Sequence, residues 1–242
     1  MFDKTTPIPI YYQLKEWLRA EIAAGTWQPG DLIPSERELS EQFGISRMTV
    51  RQALNELRED GVLRREQGKG TYVTSPKIEQ RLTRLTGFTE DMKRRAMHSG
   101  AKVLRQTWVE APDFVARALK IPPGKRIILL ERLRMAEGEP MAIETSFLHF
   151  AGMKGLLEEN FENQSLYQRL SRKYGIIPTR AEQQVEAVIC HESQCALLNI
   201  EPGAAVLRNR RIAYDQNNKP FEYVQSIYRG DRYIFYVELA IL

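Results

Sequence analysis

Three groups of side chains in this 242-residue chain have types and spacings suited to chemistry. Arg47, Thr49, Arg51, Gln52 and Asn55 lie outside or at the leading turn of a helical stripe formed by Val50, Ala53, Leu54 and Leu57. Arginine forks bind guanine edges or phosphates through paired hydrogen bonds, so this stretch could read a nucleic acid. A second group is Gln67-Gly68-Lys69-Gly70. Two glycines let a backbone approach a phosphate or enter a minor groove, and Lys69 adds the charge. The third is Arg132 and Arg134, which the two-residue period of a strand puts on one face, with Glu144 across a hairpin. Two arginines on one sheet face are costly unless something anionic meets them. Either a phosphate or carboxylate ligand does so, or the pair is satisfied by Glu131, Glu144 or Glu222.

Other chemistry is absent. His98, His149 and His191 are scattered without ligand spacing, and no nucleophile motif of the G-x-S-x-G kind occurs. Cys190-His191-x-x-x-Cys195 lacks a fourth ligand and reads as structural. Gly68-Lys69-Gly70 lacks the spacing of a phosphate-binding loop. No metal, cofactor or catalytic residue is expected, and the chain reads as a non-enzyme.

The elements that must carry these groups follow from periodicity and caps. Ile10, Leu14, Trp17, Leu18 and Ile22 predict a helix over residues 10–24, stopped by Gly25. Ser35-x-x-Glu38 is a capping box that opens a second helix, with Leu39 and Phe43 on its buried side, ending at Gly44. Ser46 caps a third helix that stops at Gly61. Two short helices joined by Gly44-Ile45-Ser46, the second presenting long donors, have the geometry that sets a recognition helix in a major groove. Residues 62–66 and 71–73 then predict a hairpin with Lys69 at its tip, the wing of a winged helix-turn-helix.

Thr74-Ser75-Pro76-Lys77 breaks both periodicities, which places a first domain at 1–76, a connector at 77–84 and a second domain at 85–242. In the second domain helix starts are expected near Gly87, Asp113, Met153, Ser165 and Glu192. Strands are expected at 103–110, 127–135, 141–148, 180–189, 205–214, 221–229 and 233–239. An internal echo organises them: Leu119-Lys120-Ile121-Pro122-Pro123-Gly124, then a strand, turn and strand, recurs from Leu198 at an offset of 79 to 80 residues. Two similar helix-plus-hairpin halves predict one largely antiparallel sheet with packed helices, an α+β domain, and a ligand site between the halves. The helix starts at Thr86-Gly87-Phe88-Thr89 and Ser165-Leu166-Tyr167 add amides and hydroxyls that favour an anion, while Glu222 and Tyr228 suit polar groups of the same ligand.

Composition agrees with a soluble two-domain protein, at 43% hydrophobic and 27% charged residues. The net charge is +4, but residues 1–76 hold ten basic against eleven acidic side chains, so a DNA face there must be a local stripe rather than a bulk charge. The start shows no signal pattern and no apolar run spans a bilayer, so the expected compartment is the cytosol with no membrane contact; two nearby cysteines suggest no disulfide framework.

Pro34-Ser35-Glu36-Arg37-Glu38-Leu39, Ser46-Arg47-Met48-Thr49-Val50-Arg51-Gln52-Ala53-Leu54 and Gly68-Lys69-Gly70-Thr71 resemble the DNA-binding domain of the GntR family of bacterial regulators. Leu85-Thr86-Gly87-Phe88-Thr89-Glu90-Asp91-Met92, Glu131-Arg132-Leu133-Arg134, Pro140-Met141-Ala142-Ile143-Glu144 and Tyr228-Arg229-Gly230-Asp231-Arg232-Tyr233 resemble the effector domain of its HutC subfamily, whose fold is similar to chorismate lyase. Within the subfamily the sequence is most similar to regulators of N-acetylglucosamine use. The resemblance implies that Ser35, Arg37, Ser46, Arg47, Thr49, Arg51, Gln52, Gly68, Lys69 and Gly70 face DNA. It also implies that Phe88, Thr89, Arg132, Arg134, Ser165 and Tyr167 hold the phosphate of an aminosugar 6-phosphate, and that Glu144, Glu222 and Tyr228 hold its sugar. The implied partners are double-stranded operator DNA and a second copy of the chain, as a homodimer on a palindrome. Trehalose 6-phosphate or urocanate as effector, a chorismate-lyase-like enzyme, and a ligand-free architectural protein are the alternatives.

Overall fold

The computed structural model describes Phe2 and residues 6–66, 68–74 and 77–239. The chain divides into two compact units, Met1–Lys77 and Ile78–Leu242.

In the first unit, α1 (Ile10–Ala23), α2 (Glu36–Phe43) and α3 (Arg47–Glu59) precede a hairpin of β1 (Leu63–Glu66) and β2 (Gly70–Val73). The capping box forms at the start of α2: Ser35 Oγ accepts from the Glu38 amide at 3.3 Å, and the Glu38 carboxylate accepts from the Ser35 amide at 2.7 Å. Ser46 Oγ likewise accepts from the Thr49 amide at 3.1 Å and opens α3. Leu14, Leu18, Leu39, Val50, Ala53 and Leu57, the apolar positions of three helical stripes, are all fully buried in one core. Lys15 bridges to Glu56 at 3.0 Å and Asp60 at 2.9 Å, tying α1 to the end of α3. The expected helix-turn-helix and wing are therefore present; Gln67 of the wing tip and Ser75-Pro76 of the boundary lie outside the described residues.

The second unit contains β3 (Ile78–Arg81), α4 (Phe88–Arg94), β4 (Ser99–Glu110), α5 (Asp113–Leu119), β5 (Arg126–Ala136) and β6 (Glu139–Leu148). A 3-10 turn (Met153–Glu158), α6 (Leu166–Tyr174), β7 (Arg180–Ile189), α7 (Glu192–Leu198), β8 (Ala205–Tyr214), β9 (Pro220–Arg229) and β10 (Tyr233–Tyr236) follow. Six strands form one antiparallel sheet in the order β4-β5-β6-β9-β8-β7. The echo in the sequence is visible in this order. One half, β4-α5-β5-β6, and the other, β7-α7-β8-β9, meet along β6 and β9, where Thr145 stands opposite Gln225. Both repeat helices end in a left-handed residue, Lys120 at φ 55° and Asn199 at φ 52°.

One sheet face packs Val115 and Leu119 of α5 on Ile127 and Leu129, and Cys195 and Leu198 of α7 on Leu133, Ile143 and Val206. The other face packs Leu166 and Leu170 of α6 on Ile128, Leu130 and Leu148, and Phe88 and Met92 of α4 on Ala142 and Tyr228. Between α4 and α6 this face is left for the pocket described below.

Residues expected to be connector behave differently. Ile78–Arg81 pairs in parallel with β10, from Ile78 opposite Tyr233 to Arg81 opposite Tyr236. Ile78 is buried with Phe88, Met92 and Tyr233, so burial of a single apolar side chain and a strand partner hold this segment to the second unit. β10 is correspondingly short and ends at Tyr236 rather than at 239.

Gly230, just after β9, has no room for a side chain: an added Cβ would stand 2.5 Å from the carbonyl oxygen of Ala205. Backbone cannot yield as a flexible side chain would, so Gly230→Ala is expected to destabilise the protein by about 1–3 kcal/mol. A thermal melt followed by circular dichroism checks this, and an unchanged melting temperature would contradict the close approach.

Candidate effector pocket and nucleic-acid surface

Register places the polar residues of the second unit in cross-sheet rows. Arg132 of β5 faces Glu144 of β6, which faces Ser226 of β9, which faces Asn209 of β8. One row away Arg134 faces Ala142, which faces Tyr228; on the other side Ser146 faces Val224, which faces Arg211. Glu222 stands opposite Leu148 one row further on. Alternate residues of a strand share a face, and all of these side chains except Ala142, Ser146 and Leu148 form the floor of one cavity. Its roof is made by the starts of two helices, Thr86 to Glu90 at α4 and Ser165 to Tyr167 at α6. The cleft, together with the open space at its mouth, spans about 450 Å³.

The two arginines define its electrostatics. Arg132 is 3% exposed and forms an ion pair with Glu144; its Nε and Nη1 find no acceptor among the described residues. Arg134, 2% exposed, donates from Nη2 to Thr89 Oγ1 at 2.7 Å, lies 4.7 Å from the centre of the Phe88 ring, and also keeps Nε and Nη1 unpartnered. Burial pushes the Arg134 guanidinium down to about 10, and the like charge of Arg132 adds to the effect. Burial alone would raise the Glu144 carboxyl, but the charges of Arg132 and Arg134 overcome it and hold it below the usual carboxylate range. Four guanidinium nitrogens on two buried cations that line the cavity thus lack an acceptor among the described residues. Glu131, the other carboxylate considered as a partner, instead accepts from Thr145 Oγ1 at 3.3 Å.

The rest of the lining is acceptor-rich. Tyr167 Oη donates to Glu222 at 2.7 Å. The Glu222 carboxyl is raised by its burial, with the negative charge of Glu144 adding, against the lowering effect of the Tyr167 bond. Tyr228 is pushed up to about 12 by burial and by Glu144. Arg211 donates from Nε to Gln183 at 2.8 Å and from Nη1 to the Thr86 carbonyl at 3.3 Å. Ser165 Oγ caps α6 by accepting from the Gln168 amide at 3.2 Å and donates to the Glu90 carboxylate.

In the first unit the residues expected on DNA lie along α3 and the wing, with Ser35 and Arg37 at the start of α2. Arg37, Ser46, Arg47, Met48, Arg51, Gln52, Gly68, Lys69 and Gly70 are exposed, and Thr49 is half-buried, its hydroxyl 2.9 Å from that of Ser46. Gly68 takes φ 75° and Gly70 φ 127°, backbone angles that suit glycine at the wing tip. Lys69 lies 3.4 Å from Glu66. Arg51 is held by Glu36 of α2, with Nη2 at 2.8 Å and Nε at 3.1 Å from the same carboxylate oxygen. The hydrogen bonds from Arg51 keep the Glu36 carboxyl below its usual range against the effect of burial; the charges of Arg51, Arg65 and Arg47 reinforce them.

Residues 10–73 match the family of bacterial regulatory proteins of the gntR type, and residues 94–234 match the UTRA domain. The chain is 43% identical over 233 residues to the HTH-type transcriptional repressor NagR of Bacillus subtilis (strain 168), covering 96% of each. It is 32% identical over 227 residues to the histidine utilization repressor of Pseudomonas putida, covering 94% of this chain and 90% of that one. The crystal structure of PhnF from Mycobacterium smegmatis matches with a TM-score of 0.65 at 30% identity, covering 96% of this chain and 99% of that one. The chain belongs to the GntR family. It is a GntR-type transcriptional repressor of the HutC subfamily, with a helix-turn-helix unit followed by a UTRA effector domain of chorismate-lyase-like fold, and not an enzyme.

In this GntR-type regulator Phe88, Thr89, Arg132, Arg134, Glu144, Ser165, Tyr167, Glu222 and Tyr228 all line the single cavity described, as does Arg211, which the sequence reading did not include. The echo could have found Arg211, because it is the repeat mate of Arg132 at the 79-residue offset. Asn209 and Ser226 carried no such signal. The ten residues expected on DNA lie on the first unit, with Ser35 and Ser46 engaged as helix caps and Arg51 already bound to Glu36. Among the described residues no group of His, Cys, Asp and Glu could hold a metal ion, and no helix is long and apolar enough to cross a membrane. Cys190 and Cys195 are buried free thiols.

Glu222 gives a signed pH test. Its raised folded-state carboxyl favours the neutral form, so its contribution to stability is full below the unfolded value, about pH 4, and is lost as pH rises through the folded one. Glu222→Gln stays neutral throughout. It is expected to melt higher than the parent at pH 7, with the gain vanishing near pH 4; an equal gain at both pH values would contradict a buried, titrating Glu222.

Proposed function

We propose that this repressor binds a palindromic operator as a homodimer and is controlled by a small phosphorylated aminosugar, glucosamine 6-phosphate or N-acetylglucosamine 6-phosphate, that enters the UTRA pocket in the cytosol. One observation carries the effector class: Arg132 and Arg134, nearly fully buried, line the cavity with four guanidinium nitrogens that lack an acceptor among the described residues. A phosphate dianion matches them, because its oxygens accept several guanidinium bonds at once. Thr89 and Ser165 supply hydroxyls beside them, and Glu144, Glu222 and Tyr228 suit sugar hydroxyls or an amino group. The resemblance to regulators of N-acetylglucosamine use narrows the phosphate ester to an aminosugar.

On the DNA side, Arg47, Arg51 and Gln52 of α3 meet base edges and phosphates, while Arg37, Ser35 and the wing residues Gly68, Lys69 and Gly70 anchor the backbone. Glu36 holds the Arg51 fork in one orientation before DNA arrives. Effector binding acts through a differential affinity for two arrangements of the dimer; typical coupling is about 1–3 kcal/mol.

Calorimetric titration with the two aminosugar phosphates, trehalose 6-phosphate and urocanate, followed by operator binding with each ligand present, tests the reading. Arg132→Ala is expected to abolish the effector response and keep operator affinity; a normal response would remove Arg132 from the site. Arg51→Ala is expected to weaken operator binding by about 1–3 kcal/mol, roughly five- to 150-fold, at fixed salt. Unchanged affinity would remove Arg51 from the interface. Preferential binding of urocanate or trehalose 6-phosphate would keep the anion site and replace the aminosugar.

A further inference from the structure

The far end of the cavity holds a buried acceptor that an anion does not use. Asn209 is 1% exposed, lines the pocket, and its Oδ1 finds no donor among the described residues. A buried amide oxygen without a partner is costly, and native structures rarely keep one without a reason. Its place is fixed by register. It ends the row Arg132, Glu144, Ser226, Asn209, and so stands three strands from the backbone of Arg132. At the usual strand spacing this is about 14 Å. Side chains on this face stand roughly perpendicular to the sheet, so a ligand that reaches both Arg132 and Asn209 lies across the strands above Glu144 and Ser226.

The charges along the row are graded. Arg132 presents free donors at one end, its ion pair with Glu144 satisfies that carboxylate in part, and Asn209 presents a neutral acceptor at the other end. The guanidinium of Arg211, one row away, is already engaged with Gln183 and Thr86. A ligand held by its anionic group at Arg132 and Arg134 therefore meets Asn209 only if it is long enough and ends in a hydrogen-bond donor.

We infer that Asn209 is a specificity-determining residue that reads the end of the effector distal to its anionic group. The effector class is a phosphate ester spanning the pocket with a hydroxyl or N–H donor at its far end, and short phosphate esters are discriminated against. The inference rests on the reading of Arg132 and Arg134 as an anion seat.

The full-length protein and its Asn209→Ala variant would be titrated by calorimetry with glucosamine 6-phosphate and with the shorter glycerol 3-phosphate. The unsubstituted protein is expected to favour the hexosamine ester at least about tenfold, a typical value of one buried hydrogen bond to a ligand. Asn209→Ala is expected to lose about that factor for the hexosamine ester and to leave glycerol phosphate unchanged. Asn209→Asp, which keeps an acceptor oxygen, is expected to retain the preference, and it decides the matter if the alanine variant does not fold. Equal affinities of the unsubstituted protein for both esters, a preference undiminished in Asn209→Ala, or its loss in Asn209→Asp would overturn the role of Asn209 while leaving the anion seat intact. Failure of both esters to bind the unsubstituted protein would overturn the anion seat itself, and this inference with it.

Discussion

Burying two guanidinium groups on one sheet face with a single carboxylate, Glu144, paired to one of them is the constraint around which the second unit is organised. Burial, and after it the like charge of Arg132, push the Arg134 guanidinium down to about 10. Glu144 relieves Arg132, and a hydroxyl from Thr89 and the face of Phe88 are what the fold offers Arg134. A core built for stability alone would fill these positions with apolar side chains, as Leu130 and Leu148 fill the neighbouring rows. Local destabilisation of this kind is the ordinary signature of a binding site, where the missing partner arrives with the ligand.

The remaining architecture holds that arrangement still. Antiparallel pairing across β5, β6, β9 and β8 fixes the lateral order of Arg132, Glu144, Ser226 and Asn209, and it does so with backbone hydrogen bonds that no side-chain motion can alter. The helices on the opposite face bury Val115, Leu119 and Leu198 and keep the sheet rigid from behind. On the pocket face α4 and α6 each bring their first turn over the cavity, and the Ser165 to Glu90 hydrogen bond joins the two. In the first unit a smaller version of the same idea operates. The Glu36 carboxylate of α2 holds the Arg51 fork on α3 in one orientation.

Features set by local periodicity were legible in the sequence, and features set by distant contacts were not. Ser35-x-x-Glu38, Ser46 and the glycine stops act over four residues or fewer, and each cap forms where its spacing places it. The two-residue alternation put Arg132 and Arg134 on one face, and the 79-residue echo anticipated two halves sharing one largely antiparallel sheet. The pairing of β3 with β10 joins segments at opposite ends of the second unit, and nothing in Ile78-Glu79-Gln80-Arg81 names that partner. Arg51 with Glu36, and Asn209 with its place in the Arg132 row, are also products of tertiary register. The pattern of one segment specifies which face a residue takes, and only the assembled sheet specifies what stands opposite.

The claim that the buried arginine pair is the seat of an anionic effector is tested most directly by a crystal structure of the full chain grown with glucosamine 6-phosphate. The account expects phosphate density between the starts of α4 and α6, within hydrogen-bond distance of the Nε and Nη1 atoms that Arg132 and Arg134 leave unpartnered. Phosphate density elsewhere on the protein, with both guanidinium groups still lacking an anionic partner, would contradict it.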